Sequence, residues 1–304
     1  MASRDPDKAK RFADRFGCDP TSYDGLLKRD DVDAVYVSLP TAMHTPFGEE
    51  VLRSGKHLLL EKPVGTNAAE ARRLLALAGE LGLVVRENLT SVRHSQHARV
   101  RELIQAGRLG AVRSMSAAFC IPPLRAHDIR YVAALGGGAL LDVGVYPIRL
   151  AQLMLGDDIR VVGSTLRLDP TLGVDLAGQA LVVSPDGVLA HLEFGFEHTY
   201  GSTYSLWGSK GRLELDRAFT PQASWQPVLK LSGQDHAEQI VLPADDQFLR
   251  SVESLAAAIL ARRAPGAAAV DAADDGTEGR RVVRTLEIVD EVRRQAVCVF
   301  TEQH

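Results

Sequence analysis

The stretch KHLLLEKPVG, Lys56 to Gly65, decides how the rest of the chain is read. Its apolar run, Leu58 to Leu60, has the length and composition of a buried strand. The run ends abruptly in Glu61, Lys62 and Pro63. Two readings are open for that charged pair. It is a solvated strand end, or it belongs to a site, because ligands of open α/β sheets sit beyond the carboxyl ends of the strands.

Working outward, AVYVSLP (Ala34 to Pro40) reads as a second strand ended by its proline, and Pro46 to Ser54 as a helix stopped by Gly55. Downstream, Asn67 caps a helix, Glu70 completes a capping box and Gly82 ends it, after which Leu83 to Arg86 is again strand-like. An earlier helix starts at the Asp5 cap with Pro6 and closes at Gly17. Strands alternating with helices of this length mean βαβ units and a parallel sheet.

Beyond residue 90 the pattern changes. Ser95 to Ala106 reads as helix, and the glycine run at 136–138 opens a long helix that stops at Gly156. From Val161 to Leu215, strand-like segments alternate with the turns SPDG (Ser184 to Gly187) and GSKG (Gly208 to Gly211), as in an antiparallel sheet. Trp207 lies in this strand pattern and is expected in the core. Two helices, about Asp246 to Arg262 and Gly276 to Arg294, close the chain around a small-residue loop, Ala264 to Gly276. The expected fold class is α/β. An incomplete Rossmann-like parallel domain over residues 1–90 precedes an α+β domain over 91–304 with a large, open, mostly antiparallel sheet.

At 304 residues, with 45% hydrophobic and 24% charged residues, the composition is that of an ordinary globular protein. A net charge of −4 with interspersed signs gives no footprint for nucleic acid or an anionic membrane. The first residues, MASRDPDKAKRF, are too polar for a secretory signal, and no apolar run approaches the ~20 residues of a membrane span. Cys18, Cys120 and Cys298 are far apart, which points to reduced thiols and a cytoplasmic location. His94 and His97 lie one helical turn apart without a third ligand, so no metal is expected.

A parallel domain that binds a dinucleotide normally opens with a strand, G-x-G-x-x-G and a helix. No G-x-G-x-x-G occurs in this chain. Where an acidic residue would bind the ribose of NAD stand Ser3 and Arg4; they suit a 2′-phosphate, or else are two solvated residues. Asp142 and Tyr146 are four apart and share a helix face, as either an ion-pairing and a packing residue or a catalytic pair.

EKP (Glu61 to Pro63) at a strand end and GGGALLDVGVYP (Gly136 to Pro147) at a helix start resemble the Gfo/Idh/MocA oxidoreductases. ENLTSVRHSQH (Glu87 to His97), DIRY (Asp128 to Tyr131) and FGFEHTYGSTYSLWGS (Phe194 to Ser209) are similar to the NDP-hexose 3-ketoreductases of that family. The resemblance covers almost the whole chain, except that the family's first strand, glycine loop and first helix have no counterpart. It implies NADPH-dependent reduction of a keto group (C3) on a nucleotide-linked deoxysugar, in deoxysugar and antibiotic biosynthesis. Lys62, Asp142 and Tyr146 become the catalytic candidates. Many members carry His where this chain has Tyr146, and a neutral phenol favours the reductive direction. The resemblance also makes Leu39, Pro40, His44, Glu61 and Asn88 cofactor contacts, beside Ser3, Arg4 and Lys62. His94 and Gln96 become substrate contacts. The family's exposed sheet face implies a homo-oligomer. An aldose or cyclic-diol dehydrogenase of the same family, and a non-catalytic remnant, are the alternatives. Without the glycine loop, the chain as written is expected to bind NADPH poorly.

Overall fold

The computed structural model describes residues 1–263 and 272–300. The stretch read first is the centre of a three-stranded parallel sheet. Its order is β1 (Ala34–Val37), β2 (His57–Leu60) and β3 (Val85–Glu87). β2 is buried at every position, as a strand covered on both faces must be. Four helices accompany this sheet: α1 (Pro6–Phe16), α2 (Tyr23–Leu27), α3 (His44–Arg53) and α4 (Ala68–Glu80). Their punctuation follows the sequence. Asp5 accepts hydrogen bonds from the N–H groups of Asp7 and Lys8, and Gly17 closes α1 at a φ of 65°. Asn67 caps α4 through the Glu70 N–H, but Glu70 reaches back one residue further than a capping box requires, to the Thr66 N–H at 2.7 Å.

The second sheet is built after α5 (Ser95–Gln105). Its first strand is β4 (Val112–Cys120). A π-helical turn, Leu140–Gly144, then runs into α6 (Val145–Leu155). The strands β5 (Arg160–Asp169), β6 (Val174–Val183), β7 (Leu189–Gly195), β8 (Gly201–Gly208), β9 (Arg212–Asp216), β10 (Val228–Ser232) and β11 (Ala237–Val241) follow. Last come α7 (Gln247–Arg263), α8 (Ala272–Gln295) and β12 (Val297–Phe300). The nine strands are ordered β11-β10-β9-β8-β4-β7-β6-β5-β12, and all pairings are antiparallel except β4 with β7 and β5 with β12. The Ala264–Gly276 loop is shortened at its end, because α8 already begins at Ala272; residues 264–271 lie outside the described residues.

One face of the large sheet is dry. Leu140, Ile148 and Ala151 pack there with Leu192, Phe194 and Leu206 in the main core. The helix comes so close that a Cβ on Gly144 would stand 3.1 Å from the Phe194 ring. The segment Ala133–Leu155 is apolar enough, by length and composition, to cross a membrane, but it is 72% buried here, as a core helix of this sheet. The other sheet face is open. Trp207 lies on that face, 58% exposed with the Arg212 guanidinium 5.1 Å from its ring, so its expected place in the core is corrected. Strand alternation explains the difference: Tyr204 and Leu206 take the inward positions of β8, and residue 207 must face out.

The two sheets share helices. α7, from the far end of the chain, covers the small sheet, where Leu255 and Ile259 pack on Leu59 and Val84. α8 packs on both α4 and α6.

Candidate active site

Lys62 leaves the end of β2, and its ammonium reaches across to the helix of the second unit. It lies 2.7 Å from Asp142 Oδ1 and 2.6 Å from the Asp142 carbonyl. The ion pair is thus not with Glu61. That carboxylate turns away to accept hydrogen bonds from Tyr36 at 2.5 Å and Asn88 at 2.6 Å. The other Asp142 oxygen is held by Arg130 Nε at 2.6 Å. Burial opposes both charges of the Lys62–Asp142 pair, and their attraction outweighs it. The Lys62 pKa is raised above its ordinary 10.5, and Lys62 with Arg130 holds Asp142 below its ordinary 3.8.

The local sequence explains why Asp142 is available. Gly138 adopts a φ of 114°, and a Cβ there would stand 2.4 Å from Asp175 Oδ1. The other Asp175 oxygen accepts from the Leu140 N–H at 2.6 Å and so caps the incoming helix from β6. The helix begins with a π-turn, a form that concentrates at functional sites. A π-bond from the Asp142 carbonyl would need the N–H of residue 147, which is proline. Lys62 donates to that carbonyl instead.

Tyr146 lies one turn on. The Lys62 ammonium is 5.1 Å from its ring centroid, and Phe119 and Phe219 meet the ring edge-on at 4.9 and 5.7 Å. Its hydroxyl makes no hydrogen bond to a described residue. Burial, partly offset by the Lys62 charge, raises its pKa above the ordinary 10.0, so the phenol keeps its proton at neutral pH.

Lys62, Asp142, Glu61, Leu39 and Pro40 line one cavity of about 160 Å³ beyond the ends of β1 and β2. His44 borders it from beneath, buried, with Nδ1 2.7 Å from the Pro63 carbonyl and Nε2 2.6 Å from the Leu39 carbonyl. It ties two strand-end loops together. Asn88 is also buried, between Glu61 and the Ser251 hydroxyl. His94 and Gln96 are buried at the start of α5: His94 Nδ1 caps the Gln96 N–H, and the Gln96 amide donates to the Ala218 carbonyl at 2.9 Å. They stand behind the Phe219 loop and not in the Lys62 cavity. Ser3 and Arg4 border a separate hollow before α1, where Ser3 Oγ accepts from the Asp5 N–H. Among the described residues no group of three His, Cys, Asp or Glu side chains is arranged to hold a metal.

Three contributors escaped sequence reasoning. Arg130 and Asp175 sit 12 and 33 residues from Asp142; Arg130 falls within the DIRY stretch, but nothing in that stretch ties it to Asp142. The Arg149–Glu87 pair at 2.6 Å links α6 to the end of β3 across 62 residues of sequence.

Residues 1–89 match the oxidoreductase family with an NAD-binding Rossmann fold, and residues 97–214 match the GFO/IDH/MocA C-terminal domain. The dTDP-3,4-didehydro-2,6-dideoxy-alpha-D-glucose 3-reductase of Streptomyces violaceoruber is 50% identical over 98% of this chain and 87% of its own length. The crystal structure of KijD10, a 3-ketoreductase from Actinomadura kijaniata in complex with NADP and TDP-benzene, superposes with a TM-score of 0.93 at 46% identity. That match covers 99% of this chain and 90% of the other. The D-xylose 1-dehydrogenase (NADP+) 2 of Haloferax volcanii is 30% identical over 98% of this chain and 90% of its own length. Two sheets, the EKP strand end and the glycine-led helix facing it thus meet in one architecture, and the chain belongs to the Gfo/Idh/MocA family of oxidoreductases.

Proposed function

We propose that the chain is an NADP-dependent oxidoreductase that reduces the C3 keto group of a nucleotide-activated deoxysugar. The observation that carries this is a protonated, unpartnered phenol, Tyr146, beside a lysine held cationic by Asp142. The relatives at 43–50% identity named as dTDP-sugar 3-reductases supply the substrate class. The residues present fit a nicotinamide. A cavity opens where the parallel strands end, and its walls approach closely: a Cβ on Gly136 would come within 2.9 Å of the Ala42 nitrogen.

NADPH, when bound, supplies the hydride. Lys62 holds the substrate carbonyl oxygen and favours the charge that develops on it. Tyr146 donates the proton that the alkoxide needs, and Asp142 with Arg130 fixes the direction of Lys62. Ser3 and Arg4 would receive the 2′-phosphate, Leu39, Pro40, His44 and Glu61 would border the nicotinamide, and Asn88 would hold that wall from behind through its hydrogen bond to Glu61. Gln96 supports the substrate wall through the Ala218 carbonyl, and His94 holds Gln96 in place by accepting from its N–H. Residues 1–90 act as the cofactor unit and 91–304 as the substrate unit, two copies meet through the open sheet face, and the enzyme works in the cytoplasm.

The test is NADPH oxidation with a dTDP-linked 3-keto deoxysugar set against free aldoses, in a form of the protein that carries a strand, glycine loop and helix ahead of Met1, because residues 1–304 alone are expected to hold NADPH poorly. Faster turnover of an aldose overturns the substrate assignment. Arg4→Asp should erode the preference for NADPH over NADH, and sedimentation checks the association.

A further inference from the structure

Helix α7 acts on the reacting centre although none of its residues lines the Lys62 cavity. Its inward face carries Gln247, Ser251, Leu255 and Ile259 at four-residue intervals. The last two are the apolar pair packed on Leu59 and Val84 of the small sheet. Just ahead of the helix, Asp245 caps α5 by accepting from the Ser95 N–H at 2.8 Å. Both ends of α7 are thus anchored, and its polar residues are held in place between them.

Ser251 is 1% exposed. A serine inside a helix commonly returns its hydroxyl to the carbonyl one turn earlier. This hydroxyl instead leaves the helix and donates to Asn88 Oδ1 at 2.6 Å. With the amide oxygen taken, the Asn88 nitrogen faces the other way and donates to Glu61 Oε1 at 2.6 Å. An ionised carboxylate only accepts, so it needs the nitrogen side of the amide, and the Ser251 donor selects that orientation.

The same Glu61 oxygen receives the Tyr36 hydroxyl at 2.5 Å. Burial, together with Glu61, raises that phenol above its ordinary 10.0 and keeps it a donor. The Lys62 backbone N–H meets Glu61 Oε2 at 3.3 Å. Donors from β1 and from the ends of β2 and β3 therefore converge on one carboxylate. What they hold it away from is the neighbouring ammonium. Glu61 and Lys62 border the same cavity, yet the ion pair that Lys62 makes is with Asp142. A second carboxylate on Lys62 would oppose the negative charge that develops on a carbonyl oxygen held there.

We infer that Ser251 is a positioning residue that acts through Asn88 to keep Glu61 off Lys62 and so leaves the ammonium free for the substrate carbonyl, an inference that rests on the ketoreductase reading above. One hydroxyl on α7 thereby sets the electrostatics at the end of β2, with no contact to substrate or cofactor.

The probe is trace acetylation of the 304-residue chain by acetic anhydride, which takes only the neutral amine. Peptide mass reads it at Lys62, against exposed Lys210 as internal standard. Ser251→Ala should free Asn88 to turn, let Glu61 swing to Lys62 and slow acetylation there about tenfold, the loss of neutral amine for one unit of raised pKa. A serine that merely braced the helix would give the opposite sign, because a loosened cavity admits the reagent. In Glu61→Gln, which has no carboxylate to release, the same substitution should change the rate by less than about twofold. Gln247→Leu, one turn earlier on the same face, removes only a long bond of 3.4 Å to the Phe219 carbonyl and should leave Lys62 at the parental rate. Acetylation unchanged or faster in Ser251→Ala, slowing that survives in Glu61→Gln, or equal slowing in Gln247→Leu each overturns the role. The labelling needs neither cofactor nor turnover. Slowed labelling in a protein that reduces no keto sugar therefore sinks the reaction and keeps the link from Ser251 to Glu61, and reduction with unaltered labelling does the reverse.

Discussion

Adjacent strand ends send a charge to the same helix in two places, and the contacts differ in what they leave over. β2 gives Lys62 to Asp142; β3 gives Glu87 to Arg149, two turns further along. Glu87 and Arg149 are sealed, with side chains 5% and 3% exposed, and Arg149 Nε is also occupied by Thr285 of α8 at 2.7 Å. Lys62 and Asp142 retain 13% and 19% exposure, carry Arg130 as a second cation, and border a cavity. A sealed pair has no charge to spare and serves to hold the two units together. The open pair shares its carboxylate with a second cation, Arg130, which also pairs with Asp128 at 3.2 Å, and it stands next to a phenol. Equal geometry with unequal access separates structure from chemistry here.

The largest expected effect is on turnover at the open pair. Lys62→Ala should lower kcat by about 10²- to 10⁴-fold, the range over which one acid or polarising group acts. Its stability should stay near that of the parent, because Asp142 keeps Arg130. Rapid-mixing measurement of NADPH oxidation beside a urea melt separates the two, and a variant that turns over normally breaks the comparison from the catalytic side.

At the sealed pair the effect moves to stability. Arg149→Met leaves the Glu87 carboxylate buried and alone, which costs about 3–5 kcal/mol. The urea midpoint reads it. A loss below about 1 kcal/mol would mean that water reaches Glu87 and the pair is not sealed. Tyr146→Phe should fall between these extremes in activity, with a loss in kcat below about 10²-fold, since water or a sugar hydroxyl can replace the phenol as proton donor. A larger loss than for Lys62→Ala would make the phenol the principal catalyst.

Much of this was legible in the chain. The caps at Asp5 and Asn67, the strand at His57 and the turn glycines are local features, and each uses physics contained within a few residues. The fold class followed from their alternation. The strands β4, β10, β11 and β12 were not read: the SMSAA run of β4 is too weakly apolar to mark the central strand of a sheet, and its burial comes from neighbours 70 and more residues away. Trp207 was misread because alternation gives two faces and not which one is dry. At the site, Lys62 was marked by its strand end and Asp142 with Tyr146 by their spacing. Arg130 and Asp175 bond to this region through tertiary contacts alone, and no spacing encodes those.

The smallest effect is also the most specific, because the two carboxylates should answer pH with opposite signs. Burial would raise Asp142, but Lys62 and Arg130 prevail and its folded pKa lies below the ordinary 3.8. The unfolded state then binds more protons near that value, so its contribution is present above 3.8 and is lost as pH falls through the folded pKa. Glu87 is the reverse. Burial raises it above its ordinary 4.5 despite Arg149, so the folded state binds the proton more tightly. Its contribution is full below 4.5 and is lost as pH rises through the folded value. Denaturation curves from about pH 3 to pH 7 should therefore show Asp142→Asn flattening the acid limb and Glu87→Gln flattening the decline above it. If Glu87→Gln leaves that upper slope unchanged, the Glu87 carboxylate is as easily ionised folded as unfolded. The contrast between the two strand ends would then rest on access to the cavity alone.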